Sequence, residues 1–258
     1  MRALVTGAGR RLGRAMALYL ASRGHAVAVH YSSSAAEAQQ TVAAITATGR
    51  HAVALQADLL DESALASLIP RAVEALNGPL TVLVNNASIF EYDNITTATK
   101  ISWDRAIGSN LRAPFALTQA FAVQAPTALT DDQGEPRPRA LIVNMIDQRV
   151  LKPTPEFISY SLAKQALWAL TRTTAQALAP HIRVNAIGPG PTVQGSRQSA
   201  LHFARQRAAT LLQRGVDPSD ITAALGFFLD SPAVTGQMIA VDGGQHLLWQ
   251  TQDVLGVE

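Results

Sequence analysis

Short apolar runs rich in Val, Ile, Leu and Ala alternate along the chain with longer stretches in which apolar residues recur at helical spacing. The runs fall at residues 3–6, 26–30, 51–56, 80–85, 140–145, 182–186 and 237–241, and each reads as a strand. Helices are predicted over 12–22, 35–47, 62–76 and 163–178. Strands that are apolar throughout, rather than at every second position, predict a parallel sheet covered on both faces. The expected fold class is α/β, a doubly wound sheet of about seven strands. No repeat or low-complexity tract interrupts the pattern, so residues 1–258 read as one domain. The polar stretch 127–139 carries two prolines and reads as a surface loop leading into the fifth strand.

Composition narrows the function classes. Hydrophobic residues make up 48% of the chain, enough for a large core. Charged residues reach only 16%, which suggests that another subunit covers part of the surface. A net charge of +2 leaves no footprint for nucleic acid or for an anionic membrane. There is no cysteine, hence no thiol nucleophile and no Cys-ligated metal. The six histidines are scattered and none forms a His-Glu-x-x-His pattern, so no metal site is expected. The first residues, MRALVTGAG, already read as a strand and a Gly turn, with no room for a leader. No apolar run reaches about 18 residues, and a cytoplasmic location is expected.

The first strand runs into Thr6-Gly7-Ala8-Gly9-Arg10-Arg11-Leu12-Gly13, after which a helix opens. Glycines there let a pyrophosphate approach the backbone, and the helix N-terminus offers free N–H groups. Following a strand and opening a helix, this reads as a dinucleotide-binding turn rather than a plain strand–helix turn, with Gly7, Arg10, Arg11, Leu12 and Gly13 as candidate cofactor residues. An acidic residue at the end of the second strand would select the ribose 2′-hydroxyl of NAD. The chain has His30-Tyr31-Ser32-Ser33-Ser34 instead, with no carboxylate before Glu37. Hydroxyls together with Arg10 suit a 2′-phosphate, which favours NADPH. The serines are also compatible with capping the next helix.

Tyr160-Ser161-Leu162-Ala163-Lys164 sets Tyr and Lys on one helix face. An ammonium nearby is expected to lower the tyrosine pKa and to make Tyr160 a general acid for a hydride acceptor. The pair follows Leu83-Val84-Asn85-Asn86-Ala87 at the end of the fourth strand. It precedes Arg183-Val184-Asn185-Ala186-Ile187-Gly188-Pro189-Gly190.

That ordered set resembles the short-chain dehydrogenase/reductase family from Val5 to Gly244. The resemblance implies an oxidoreductase and assigns roles by position. Asn86 and Ala87 match the segment bordering the adenine, Asp58 and Leu59 the adenine-contacting Asp-Leu, and Asn110 the helix Asn that completes a catalytic tetrad through a water. Pro189, Gly190 and Thr192 match the segment against the nicotinamide amide, and Val241-Asp242-Gly243-Gly244 the closing motif. Taken singly, Asp58 also reads as a helix cap and Asn110 as a buried hydrogen-bonding group.

Two departures point to a sub-branch. Arg11 stands where the family's middle turn glycine usually falls. Asp147 stands 13 residues before Tyr160, where the family usually has Ser. Both are shared with the pteridine reductases and the short-chain dihydromonapterin and dihydrofolate reductases. The segment His30 to Ala38 resembles that branch's NADPH turn, although the Arg often found near Ser33 is missing. Ser88 replaces the family's usual Gly. Phe90 stands where pteridine reductases stack the pterin against the nicotinamide.

Chemistry agrees with the branch. A flat ring rich in donors and acceptors suits Phe90 and the Arg11 guanidinium. Reducing a ring C=N needs hydride on carbon and a proton on nitrogen, and a carboxyl at 147 can relay that proton directly or through Tyr160. The expected catalytic residues are therefore Asn110, Asp147, Tyr160 and Lys164. Arg11, Ser88, Phe90, Asp147 and Tyr160 are expected to meet a pterin-like substrate. A carbonyl reductase acting on a 3-oxoacyl or sugar substrate, and an idle NADPH-binding sensor or scaffold, remain alternatives. Residues 194–214 fall where the family keeps a mobile substrate loop. The apolar tail after Gly244 is expected to pack on a neighbouring subunit of a homotetramer or back on its own core.

Overall fold

A computed structural model of the chain describes residues 1–195 and 198–249. Its strands are β1 (Arg2–Val5), β2 (Ala26–Tyr31), β3 (Ala52–Gln56), β4 (Val82–Asn85), β5 (Leu129–Thr130), β6 (Pro136–Arg137), β7 (Ala140–Met145), β8 (Ile182–Pro189) and β9 (Met238–Val241). Seven of them form one sheet in the order β3-β2-β1-β4-β7-β8-β9, with every neighbouring pair parallel. The strand order reverses between β1 and β4, whose register pairs Val5 with Val84. The chain leaves the ends of these two strands in opposite directions across the sheet, which opens a crevice for a ligand.

The helices are α1 (Arg11–Ser22), α2 (Ala35–Thr46), α3 (Glu62–Ala75), α4 (Lys100–Ile107), α5 (Ala113–Gln124), α6 (Ile158–Leu178), α7 (Ala200–Ala208) and α8 (Pro218–Asp230). Strand residues divide between two cores by simple alternation. Ala3, Val5, Val27, Val29, Val82 and Val84 pack with Met16, Leu20 and Phe228 of α1 and α8. Leu4, Ala28 and Leu83 face the other way, towards Leu68, Leu117 and Phe121 of α3 and α5. Both faces are thus covered, as the uninterrupted apolar runs require.

The seven expected strands and four expected helices are all present, with one boundary that matters. Helix α6 begins at Ile158, not at 163, so Tyr160 lies in its first turn. Residues 127–139 depart from a plain loop: β5 and β6 form a small antiparallel hairpin, turned by Asp131, whose carboxylate accepts from the backbone N–H of Gln133 and Glu135. Such an Asx-type turn makes the bend without apolar support. Among the described residues, no helix is long and apolar enough to cross a membrane. In the tail, Lys152 donates to the Leu248 carbonyl at 3.0 Å, while Trp249 is 64% exposed. The rest of the tail, 250–258, lies outside the described residues, as do Ser196 and Arg197 in the expected substrate loop.

Candidate active site

Helix α1 opens just beyond the turn after β1, and its first N–H groups meet no side-chain cap and no acidic residue. Its N-terminal dipole is therefore available to an anion. A Cβ on Gly13 would lie 2.2 Å from the Gly7 carbonyl oxygen, so the turn closes only around glycine there. Arg11 adopts φ +55°, the left-handed conformation that a glycine would take more easily. Its guanidinium donates to the carbonyls of Gln194 (2.7 Å) and Val193 (3.0 Å), tying the turn to the segment after β8. Burial, then Arg10, lowers the Arg11 pKa. Arg10, Ser32 and Ser33 are exposed beside this turn, with no carboxylate among them. This arrangement fits a phosphorylated dinucleotide.

His30 departs from its expected place on the cofactor. It is 1% exposed and lies behind the turn, with both ring nitrogens engaged. Nδ1 accepts from the Gly7 N–H at 3.0 Å, so the neutral ring carries its proton on Nε2, which donates to the Ala57 carbonyl at 3.0 Å. Burial, against the weaker pull of the Ala57 carbonyl, pushes the His30 pKa down to about 4. Its role is to hold the turn. Leu12 and Tyr31 lean on the α1-side core and Leu59 is buried in the opposite one, which leaves exposed Asp58 and Ser32 at the surface. Asp58 is not the cap of α3: it accepts from the Leu60 N–H, while Asp61 caps the helix. Nor does Ser34, at the N-cap of α2, make a side-chain cap bond.

From β4 the chain passes directly across the crevice. The Thr6 hydroxyl accepts from the N–H groups of Asn86 (2.8 Å) and Ala87 (2.9 Å), and the Asn86 amide donates to the Thr6 carbonyl. Ser88 donates to Asn110 Oδ1 at 2.6 Å, and Asn110 Nδ2 donates to the carbonyls of Ile89 and Ala106. These three bonds hold the Asn110 side chain in place. It sits in a π-helical turn, Gly108–Arg112, which Pro114 explains. Proline brings no N–H for the Asn110 carbonyl four residues earlier, and its ring crowds that oxygen. Across the sheet, Thr192 donates to the Gly190 carbonyl at 2.9 Å, and Gly190 packs against Asp242, just past the end of β8 at Pro189.

The structure brings Asp147, Tyr160 and Lys164 together. Asp147 follows β7; its Oδ1 accepts from the Arg149 N–H at 2.9 Å and its Oδ2 from the Tyr160 hydroxyl at 2.8 Å. It is no free surface carboxylate. Lys164 is 2% exposed, donates to the Met145 carbonyl at 2.7 Å, and keeps two N–H groups for other partners. Burial pushes its pKa down to about 8, against the pull of Asp147.

The expected lowering of the tyrosine pKa is overturned. Burial, then the Asp147 charge and hydrogen bond, raise Tyr160 well above the usual tyrosine range, with Arg149 opposing. The ammonium lies 5.6 Å from the ring centroid and points its hydrogen bond elsewhere. The carboxylate 2.8 Å from the phenol hydroxyl is the nearer charge. Burial likewise raises Asp147, opposed by the N–H and charge of Arg149, by the Tyr160 hydrogen bond and by Lys164.

Three residues at the site carried no sequence signal. Phe157 stacks on Phe90 with centroids 4.2 Å apart, and Phe90 meets Tyr160 edge-on at 4.7 Å. Phe90 is 42% exposed, so it is a wall of the site and not core. Arg149 lies 4.9 Å from the Phe157 centroid and 5.5 Å from that of Phe90. Asp93, buried, accepts from the N–H of Ser159 (3.1 Å) and from the Ser159 hydroxyl (2.5 Å), and so caps α6 from 66 residues away. A run such as Glu91-Tyr92-Asp93-Asn94 reads only as a polar turn, and nothing local announces its distant partner.

A parallel sheet with this strand order, a glycine turn onto a free helix N-terminus, and a buried Tyr–Lys pair beside the crevice define an oxidoreductase fold. The family model for short chain dehydrogenases matches residues 1–203, and the chain belongs to that family. Among solved structures, FolM alternative dihydrofolate reductase 1 from Brucella canis, complexed with NADP, is 42% identical with a TM-score of 0.90. The match covers 98% of this chain and 96% of that one. Pteridine reductase 1 of Leishmania tarentolae is 33% identical, covering 95% of this chain and 96% of its own. The 3-oxoacyl-[acyl-carrier-protein] reductase FabG of Staphylococcus aureus is 32% identical over 95% of this chain and 98% of its own.

Proposed function

We propose that this protein is an NADPH-dependent reductase of a dihydropterin-type ring C=N bond. The observation that carries the reading is the Asp147 carboxyl, bonded to the Tyr160 hydroxyl at 2.8 Å beneath the Phe90–Phe157 wall. A ketone needs one proton at its oxygen and a hydroxyl to orient it, which serine supplies. A ring nitrogen needs a proton delivered to a weak acceptor held flat, and a carboxyl coupled to a tyrosine suits that task. The family resemblance to the dihydrofolate and pteridine reductases supports the same choice.

The N-terminus of α1 would hold the pyrophosphate, Arg10 with Ser32 and Ser33 the 2′-phosphate, and the two remaining N–H groups of Lys164 the nicotinamide ribose. When bound, the reduced nicotinamide supplies a hydride to the ring carbon of the C=N bond. Tyr160 gives its proton to the ring nitrogen, so the bond gains one hydride and one proton. Asp147, whose proton affinity burial raises, restores the proton to Tyr160 across their hydrogen bond, and solvent reloads the carboxyl. Phe90 holds the ring face to face, and Phe157 backs it.

The 32% identity to a 3-oxoacyl reductase favours a second reading, reduction of a carbonyl thioester. NADPH oxidation measured with dihydrobiopterin and with an acetoacetyl thioester separates the two. Turnover of the dihydropterin alone supports the first reading, and turnover of the thioester alone replaces it. Tight NADPH binding with neither turnover would make the protein an idle cofactor-binding module.

A further inference from the structure

We propose that Arg149 is a positioning cation of the reductase centre: it offsets the Asp147 carboxylate beside Tyr160 and braces the aromatic wall that holds the ring. This rests on the reading of Asp147 and Tyr160 as a proton-relay pair. Arg149 belongs to the short 3₁₀ turn Gln148–Val150 after β7, and it reaches the reacting hydroxyl by two routes. Through its backbone N–H it holds Asp147 Oδ1 at 2.9 Å, while Asp147 Oδ2 accepts from Tyr160. Through its guanidinium it lies against Phe157 and Phe90, and Phe90 meets the Tyr160 ring edge-on at 4.7 Å.

The guanidinium is not consumed by a conventional ion pair. Its Nη1 is buried with no hydrogen-bond partner, and no carboxylate among the described residues lies within ion-pair distance of it. Burying an unpaired cationic N–H is unfavourable unless other interactions offset it. The π faces of two stacked rings and the nearby Asp147 charge do so.

Proton transfer explains the need for a second cation. When Tyr160 gives up its proton and Asp147 replaces it, a buried carboxylate is left at hydrogen-bond distance from the phenol, and that charge needs a cation nearby. Lys164 relieves this only in part, because burial lowers its pKa and its ammonium bonds the Met145 carbonyl rather than the Asp147–Tyr160 pair. Arginine stays charged throughout. Arg149 acts to lower the pKa of both Asp147 and Tyr160, in each case against burial. The other charged groups near this turn are otherwise engaged. Lys152 bonds the Leu248 carbonyl, His246 pairs with Asp242, and Glu156 faces the Tyr92 hydroxyl, whose pKa it raises.

The test is the pH profile of kcat for wild type, Arg149→Met and Arg149→Lys, recorded on whichever of dihydrobiopterin and acetoacetyl thioester the wild type turns over. Reduction falls as pH rises through the pKa of the Asp147 carboxyl that reloads Tyr160. Removing the cation in Arg149→Met should move that falling limb upward by roughly one pH unit and lower the plateau. Arg149→Lys keeps the charge but cannot lie flat on Phe157, so its limb should stay near the wild-type position while KM for the ring substrate rises several-fold. Arg149→Gln replaces the Met variant if that variant does not bind NADPH, as read by cofactor fluorescence. An unmoved limb in the neutral variant would assign the titration to Lys164 and overturn the proposal. Turnover of the thioester alone refutes the pterin reading and leaves the Arg149 test intact; turnover of neither refutes both.

Discussion

Protonating His30 should unfasten the cofactor turn, and the energy involved follows from its burial. In the folded chain His30 is neutral, accepting from Gly7 and donating to Ala57, with its pKa pushed from 6.5 down to about 4. The unfolded chain takes up the proton near 6.5, so between about 6.5 and 4 the unfolded state binds more protons than the folded one. Stability is therefore present above pH 6.5 and is lost as pH falls towards 4. The 2.5-unit difference corresponds to about 3 kcal/mol in full, and to about 2 kcal/mol between pH 7 and pH 5. Urea unfolding followed by circular dichroism at those two pH values, on wild type and His30→Gln, isolates this contribution. His25, also pushed down to about 4 by burial, titrates in both proteins and cancels in the comparison. The wild type should lose about 2 kcal/mol more than the variant on going from pH 7 to pH 5. Equal losses would refute the neutral, doubly bonded histidine.

Other perturbations test the site itself. Asp147→Ser should cut dihydropterin reduction by about 10²–10⁴-fold, and it should lower the Tyr160 pKa by removing a neighbouring charge and hydrogen bond; steady-state rates on pterin and ketone substrates check both, with undiminished pterin turnover counting against the relay. Arg10→Ala should weaken NADPH binding and leave NADH binding nearly unchanged in fluorescence titrations, whereas equal losses would contradict a 2′-phosphate contact. Phe90→Ala should remove about 1 to 3 kcal/mol of ring-substrate binding with little effect on NADPH, measured by calorimetry on the NADPH-loaded protein.

The fold was legible because its signal is repeated. Each of the seven strands of the main sheet carries its own apolar run, and a parallel sheet buried on both faces leaves little else for such runs to do. The turn was legible for a related reason: Gly7 and Gly13 are adjacent to the first strand, and their backbone demands are local. The position of Asp147 relative to Tyr160 could be read by counting residues, but the direction of the tyrosine pKa could not. That direction depends on which charge lies nearest in space, and Asp147 outcompetes Lys164 only once β7 and α6 are packed. His30 misled because its place at the end of the second strand suits a ribose contact, while its side chain turns inward to the Gly7 N–H. Asp93, Arg149 and Phe157 were missed because their partners lie far along the chain or across the aromatic cluster. The hairpin at 129–137 escaped because two-residue strands are too short to show a period.

The segment from Asn86 to Asp93 has a consequence for how this enzyme can change over evolution. Within eight residues it bonds the Thr6 carbonyl through Asn86, fixes Asn110 through the Ile89 carbonyl, sets Phe90 edge-on against Tyr160, and caps the helix of Tyr160 through Asp93. The side chains of Asn86, Phe90 and Asp93 each carry one of these contacts, so substitutions at these positions remove one directly. The opposite wall, where Val193 and Gln194 offer only backbone carbonyls to Arg11, makes no such demand on side-chain identity. New substrate preferences should therefore arise by rewriting the segment after β8, while the stretch after β4 stays under joint constraint. A library randomised in each segment separately would reveal this as a large difference in the fraction of variants that still turn over.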